Sequence, residues 1–579
     1  MDLGAYILSQ NRIPVDDMAN QECWNASDDM TEKYRDPSED VETGAVSPES
    51  SGSEKVEITQ NASKDTKPGF FRRSYNSFRD IYSPTDEPPL VLPTCPNDDE
   101  KLSYFNMGRI TFFSFGIFSF LALGAGMWLF TITAPYYYWF GLFAFINCVY
   151  LFLSYGIGLI GKDYDYKAHL ARLAAHPIRE ETAPTVDIYL PCCHEPLEIL
   201  ENTYEHIIKL DYPASKLRVY VMDDGNLESV RELARKYGFM YHVRDDRPHL
   251  RKAGNLRWNF TSTHGEFFVI FDADFCPRPE LVKELIVEHL DDEKIAIVQT
   301  PQWFRSTSDQ TWVEQGAGAT QELFYRVIQV NRDRLGGAIC VGTNAMYRRA
   351  ALEAVGGTAD IGHSEDVRYM PLCLATGICP NSPRALFSQQ MRWATGSTTL
   401  LSNPAFWKSN LTPMQKLCYF SGFLYYLCMS LNLIIGPVPG VLPLALRPKW
   451  VKVWNALPSY IYGLAILPLW AKGNYKFNVQ PVLTLQSHAY LMAIKDGLFK
   501  IDAPWAVSGD AKAHKSDKHR NMRIFCCIWV IIVTGAMIGL GVWRLLPGGG
   551  LDAWYDPLPL FLFTAYNLYK THFFVFANW

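Results

Sequence analysis

Two carboxylates one residue apart, Asp272 and Asp274, close the apolar run Phe267-Phe268-Val269-Ile270-Phe271. A short aromatic and β-branched run of this kind is predicted to be a buried strand, and its end delivers both acids to the carboxyl edge of a sheet. Ligands of open α/β sheets bind outside that edge. Paired hard oxygens suit a divalent cation, and such a cation suits the phosphates of a nucleotide. A solvated acidic turn looks the same in isolation, so the weight falls on the other segments that accompany the pair.

Those segments follow a fixed order. Asp187-Ile188-Tyr189-Leu190-Pro191-Cys192-Cys193-His194-Glu195-Pro196 reads as a buried strand running into a loop. Arg218-Val219-Tyr220-Val221-Met222-Asp223-Asp224-Gly225 reads as a second strand ending in carboxylates. Further on come Ser364-Glu365-Asp366 and Gln389-Gln390-Met391-Arg392-Trp393. An Arg suits a diphosphate through two parallel hydrogen bonds, and a Trp offers a flat apolar face to a sugar ring. An acid at position 366 could equally open a helix over Val367-Arg368-Tyr369-Met370, and Trp393 could be the core face of an amphipathic helix.

The series resembles the processive family 2 glycosyltransferases, the cellulose, chitin and hyaluronan synthases. Their pattern is Asp, Asp-x-Asp, Thr-Glu-Asp and Gln-x-x-Arg-Trp, with Ser364 here in place of the Thr. The resemblance runs from about Asp187 to the carboxyl end. It implies that Asp272 and Asp274 hold Mg2+ or Mn2+, with Asp272 also at the donor. It implies Asp366 as general base beside Glu365, and Gln389, Arg392 and Trp393 at the acceptor end. Asp223 and Asp224 fall where such enzymes contact uridine, Glu195 in the nucleotide loop, and Lys252 of Lys252-Ala253-Gly254-Asn255-Leu256 near the diphosphate. Val298-Gln299-Thr300-Pro301-Gln302 and Gly342-Thr343-Asn344-Ala345 resemble the cellulose-synthase branch. Trp505-Ala506-Val507-Ser508-Gly509-Asp510-Ala511-Lys512 resembles the Phe-x-Val-Thr-x-Lys gating loop, although Asp510 stands at the position of its Lys. A basic juxtamembrane linker is the alternative for that stretch.

The elements that must position these residues are legible in charge and hydropathy. The chain has 579 residues, 48% hydrophobic and 14% aromatic, with a net charge of only −6. That balance argues against a nucleic-acid partner. Thirteen cysteines lie scattered without zinc spacing, which suggests free thiols. No charged residue or His occurs from Ile110 to Gly161, a stretch suited to two spans of about 20 residues. Pro135 and Tyr136-Tyr137-Tyr138-Trp139 form the expected turn and interfacial belt, and Lys162, Lys167 and Arg172 mark a cytosolic exit. Leu417–Leu446, Val453–Ala471, Ile524–Trp543 and Pro557–Trp579 complete about six spans. Ser487–Phe499 reads as an amphipathic stretch. No secretory signal is expected at the amino terminus.

The organisation expected is therefore a disordered cytosolic region over 1–105, spans 1–2 over 106–161, and a cytosolic glycosyltransferase domain over 162–413. Spans 3–4 occupy 414–474, a cytosolic interface helix and gating loop 475–522, and spans 5–6 523–579. The fold class is an α/β domain with a GT-A-like, Rossmann-like mixed sheet, inserted in an α-helical transmembrane bundle. The resemblance implies an inverting enzyme that polymerises a UDP-sugar, above all UDP-glucose into a β-1,4 or mixed-linkage glucan, and moves the growing polysaccharide through the lipid bilayer. The acidic amino-terminal stretch, with no plant-type zinc module, resembles fungal members. The plasma membrane is the expected residence, with the Golgi as alternative, and a homo-oligomer is left open. The rivals are a chitin- or hyaluronan-synthase-like enzyme using UDP-N-acetylglucosamine and a non-catalytic transporter or scaffold.

Overall fold

In the computed structural model of the protein, the described residues are 91–103, 109–133, 135–160, 164–307, 309–354, 356–357, 367–369, 374–470, 479–501 and 518–577. All lie within the compact unit Gly69–Trp579. Glu365, Asp366 and the Trp505–Lys512 stretch fall outside the described residues.

The apolar runs form the strands that their composition predicts. β1 (Val186–Cys192), β2 (Leu217–Asp223), β3 (Met240–His242), β4 (Phe267–Ile270), β6 (Ile297–Gln299), β8 (Ala345–Arg348) and β9 (Val367–Tyr369) build one sheet in the order β3-β2-β1-β4-β8-β6-β9. Only β8 runs antiparallel, between β4 and β6. The register Val186↔Phe267 to Tyr189↔Ile270 brings the ends of β1 and β4 side by side. β1 and β4 are buried throughout because helices cover both faces, as near-continuous apolar strands require. A smaller sheet joins β5 (Cys276–Pro277), β10 (Ala375–Thr376) and β7 (Gln302–Trp303). This is the GT-A-like mixed sheet expected. Val367–Tyr369 being a strand removes the alternative of a helix opened by the acid at 366.

A buried knot sets the amino edge of the sheet. Asp187 accepts from Gly265 N at 2.7 Å and from Arg349 Nη2 at 3.2 Å. Arg349 spends its other donors on the Gly265 and Phe260 carbonyls and on the Tyr189 and Thr263 hydroxyls. The charge is thereby neutralised and its donors satisfied, the condition for burying an ion pair.

Among the described residues, four helices are long and apolar enough to cross a membrane: Ile110–Thr131, Pro135–Ile160, Pro413–Leu446 and Arg520–Leu545. The first two pack closely because Gly158 has no side chain; a Cβ there would lie 2.3 Å from the Phe113 ring. Of the six spans expected, Val453–Ala471 and Pro557–Trp579 do not reach this standard. Both regions are helical, Val453–Ile461 continuing to Trp470 and Leu558–Phe576. Asn455, Ser459 and two tyrosines dilute the first, and Lys570 and His572 the second.

Two expectations are corrected. The region 1–105 is not disordered throughout, because 91–103 lies along the catalytic domain. Arg278 binds the Pro96 carbonyl and Asp98, both at 2.6 Å, Arg305 binds Glu100 at 2.9 Å, and Lys101 binds Glu280 and Glu284. Polar composition concealed this, because the binding partners lie some 180 to 210 residues away in sequence. The amphipathic stretch expected over Ser487–Phe499 is instead buried on several sides up to Asp496. It belongs to the helix Val479–Leu498, whose Ser487, His488, Ala489, Tyr490, Met492, Ala493 and Asp496 are all buried. That helix packs among Trp312–Leu323, Pro383–Ser402, Pro413–Ile435 and Leu558–Phe576, so several of its faces find partners at once.

Candidate active site

The parallel strands deliver their loops to one edge, as expected. After β4, Phe271 N bonds the Tyr189 carbonyl of β1 at 3.0 Å and Asp272 N bonds Thr343 Oγ1 at 2.9 Å, which fixes the backbone on both sides. Lys252, on the helix Arg251–Ser262, contacts Asp272 Oδ1 and donates to the Gly342 carbonyl at 3.2 Å. The motif around it is explained residue by residue. Gly254 is required because a Cβ would meet the His249 carbonyl at 2.2 Å. Asn255 Nδ2 bonds the Met222 carbonyl of β2 at 2.8 Å, tying the helix to the sheet.

Asp274 lies low in the cleft. Desolvation, and then the charge of Asp272, push its carboxyl up to about 7, with Glu195 adding to the rise and Lys252 opposing it. Glu195 accepts from Cys193 N at 2.5 Å, and desolvation raises its pKa above the usual carboxylate value. Glu195, Asp272 and Asp274 thus share one negative field. Among the described residues no three His, Cys, Asp or Glu side chains converge as a metal cage. Two hard carboxylates one residue apart nonetheless fit a divalent cation that completes its shell from phosphates.

Asp223 and Asp224 reach this edge but are engaged by the protein. Asp223 accepts from Gly225 N at 2.7 Å, Leu227 N at 2.8 Å and Tyr241 OH at 2.7 Å. Asp224 is gripped by Arg244 through Nε and Nη2, both at 2.8 Å. The two segments that resemble cellulose synthases meet each other. Gln299 Nε2 donates to the Thr300 and Thr343 carbonyls at 2.8 and 2.9 Å, its Oε1 accepts from Val341 N, and Thr300 Oγ1 bonds the Asn344 carbonyl. This brace holds the loop that supports Asp272.

Gln389, Arg392 and Trp393 lie on the helix Pro383–Ser402. Gln389 and Arg392 are half-buried, while Trp393 is 39% exposed. Desolvation, and then the nearby charge of Arg251, lower the Arg392 pKa. Arg251 adjoins Lys252, so this helix reaches the same cleft. The structure therefore groups Glu195, Lys252, Asp272 and Asp274 at the carboxyl edge, with Arg392 within electrostatic reach of Arg251. Sequence reasoning missed Arg244, which carried no signal because Arg244-Asp245-Asp246-Arg247 reads as a solvated loop; Gln299 and Thr343 were marked only as members of matching segments, without a role.

A mixed sheet with acids and a lysine around an Asp-x-Asp turn at its carboxyl edge is an arrangement that can receive a cation and the phosphates of a ligand. Residues 187–356 match the family model described as Glycosyl transferase family 2. The sequence is cellulose synthase-like: it is 33% identical over 319 residues to "Cellulose synthase 2" of Novacetimonas hansenii, covering 51% of this chain and 20% of that protein. It is 32% identical over 267 residues to "Cellulose synthase catalytic subunit [UDP-forming]" of Pseudomonas fluorescens, covering 42% and 36%. The chain thus spans about a fifth to a third of the length of these curated relatives. Among solved structures, the mannosyltransferase of Pyrobaculum calidifontis in complex with GDP-Man and Mn2+ is 18% identical, with 62% of this chain and 100% of that chain covered and a TM-score of 0.41.

Proposed function

We propose that the protein is a processive, inverting β-glycosyltransferase that polymerises UDP-glucose into a β-1,4 or mixed-linkage glucan and passes the polymer across the membrane. The observation that carries this reading is the meeting of Lys252, Asp272 and Asp274 at the sheet's carboxyl edge, while Arg392 and Trp393 lie on a helix that packs through Val479–Leu498 onto the apolar bundle. The UDP-forming cellulose synthases among the similar proteins favour uridine diphosphate as the leaving group.

In this reading the acceptor hydroxyl attacks the anomeric carbon while the bond to the diphosphate breaks, and Asp366 takes the hydroxyl proton. Asp272 and Asp274 would hold Mg2+ or Mn2+, which supplies charge neutralisation at the diphosphate. Lys252 adds a second positive charge beside Asp272. Gln389, Arg392 and Trp393 orient the terminal sugar at the acceptor end, and Trp505 belongs to a segment that closes over the nucleotide. Glu365 flanks the base, and Glu195 with Asp223 and Asp224 shapes the nucleotide end. The catalytic domain is assigned to the cytosol and the bundle to the plasma membrane.

The test is purified protein with a panel of radiolabelled nucleotide sugars, followed by linkage-specific glucanase digestion. UDP-glucose should give a digestible glucan. Asp366→Asn should lower synthesis by about 10²- to 10⁴-fold while nucleotide still binds. A product made from UDP-N-acetylglucosamine alone, or undiminished synthesis by the variant, overturns the sugar or the base respectively.

A further inference from the structure

Arg244 leads the largest fully buried side chains among the described residues. Its side chain has no exposure, and that of Asp224 only 9%. The pair forms two parallel hydrogen bonds, the strongest arrangement that an Arg and a carboxylate make. Asp224 is itself fixed, its N–H donating to the Cys192 carbonyl at the end of β1 at 3.0 Å. The other donor contacts of Arg244 go to the chain that follows it. Nη1 reaches the His249 carbonyl at 2.6 Å and Asp246 Oδ1 at 3.3 Å, and Nη2 reaches the Arg251 carbonyl at 3.0 Å.

That chain needs holding. Asp245, Asp246, Pro248, His249 and Leu250 are exposed. Leu250 and Arg251 both adopt left-handed backbone, with φ of 51° and 50°, a conformation that costs non-glycine residues energy unless the surroundings impose it. The next residue is Lys252, which contacts Asp272. One unbroken series of contacts thus runs from β1 through Asp224 and Arg244 to the Arg251 carbonyl, and from there to the lysine at the donor site. Gly254 completes it, since a Cβ would stand 2.5 Å from Arg244 Nη1.

We propose that Arg244 is a positioning residue: locked to Asp224, it imposes the strained turn at Leu250-Arg251 and so aims Lys252 at the diphosphate end of the donor. The inference rests on the donor site proposed above. It gives Asp224 a different duty from uridine contact, because both of its oxygens serve Arg244. A Lys at 244 would keep the charge but lose the fork that grips Asp224 and two carbonyls together.

The experiment uses the full chain in detergent or nanodiscs with Mn2+, titrated separately with uridine diphosphate and with inorganic pyrophosphate. The variants are Arg244→Lys, the nearly isosteric Asp224→Asn, Lys252→Met and Arg244→Lys/Lys252→Met. Arg244→Lys and Asp224→Asn should weaken both probes by the same factor, about tenfold to a hundredfold, the worth of one charge-assisted hydrogen bond. The double variant should bind no worse than Lys252→Met alone, and donor KM should rise more than kcat falls. Asp224→Asn covers the case in which Arg244→Lys does not fold. Loss of uridine diphosphate with pyrophosphate retained assigns Asp224 to the base and overturns the proposal. So do multiplying losses in the double variant, or a lowered Tm with unchanged binding. A wild-type protein that binds neither probe overturns the donor site itself, a separate result.

Discussion

Asp274 illustrates how far one residue's chemistry follows from its surroundings. Spacing identified it as a ligand candidate, but only the fold reveals that desolvation and then Asp272 hold its carboxyl near 7. A cation at this carboxylate must displace the proton. Mn2+ affinity should therefore rise about tenfold per pH unit below about 7 and level off above it. Titration of Mn2+ by electron paramagnetic resonance from about pH 5.5 to about pH 8.5 measures the slope. In Asp274→Asn the residual affinity should lack it; an equal slope in the variant assigns the proton to another group. Lys252, Asp272 and Asp274 were legible because their residue types carry the chemistry directly. Thr343 and Gln299 were legible only as part of matching segments, because what they do is hold backbone: a hydroxyl on Asp272 N and an amide across two loops. Nothing in an isolated sequence distinguishes such a buried amide from an exposed one.

At the scale of elements, the strands were the most legible part, since period and composition report burial directly. The stretch before the first membrane helix was the least. Residues 91–103 are polar and proline-rich, yet Asn202 Nδ2 bonds the Pro93 carbonyl at 2.9 Å, and Arg278 and Arg305 hold Pro96, Asp98 and Glu100. Cys276 and Arg278 follow Asp274 closely, so this strap braces the back of the Asp-x-Asp turn. Lys101 sits between Glu280 and Glu284, with side chains 10%, 29% and 8% exposed. Removing the cation from a buried pair costs about 3–5 kcal/mol, because the remaining carboxylate is left uncompensated. Lys101→Met should therefore lower the melting temperature in detergent markedly, and Lys101→Met/Glu284→Gln should recover much of the loss. If the single variant melts like wild type, the strap contributes nothing to stability. The ion pairs that make it were invisible because charge complementarity needs both partners, and they come from distant parts of the chain.

For the whole molecule, the decisive element is Val479–Leu498, whose second half the sequence suggests as an amphipathic stretch of an interface helix and which the fold buries between the mixed-sheet domain and the apolar helices. Its Tyr490 touches both sides. The hydroxyl donates to Gln390 Oε1 at 2.8 Å, on the helix carrying Arg392 and Trp393, and the ring meets Tyr425 and Tyr426 of the Pro413–Ile435 helix edge-on at 5.8 and 4.8 Å. One side chain thus joins the Pro383–Ser402 helix to the apolar Pro413–Ile435 helix. Tyr490→Phe keeps the ring contacts and removes only the hydroxyl, leaving a buried carbonyl oxygen unmet at a cost of about 1–3 kcal/mol. The expected outcome is a modest fall in melting temperature together with slower polymer synthesis, because the helix bearing Trp393 is less firmly held. Binding of uridine diphosphate with Mn2+ should stay at the wild-type value, since Lys252, Asp272 and Asp274 are anchored by β1, β4 and β8 and not by this helix. Measuring the two quantities on one preparation separates the ends of the cleft. Equal losses in both would mean that Tyr490 supports the whole catalytic domain, and unchanged synthesis would mean that the Pro383–Ser402 helix is held in place without it.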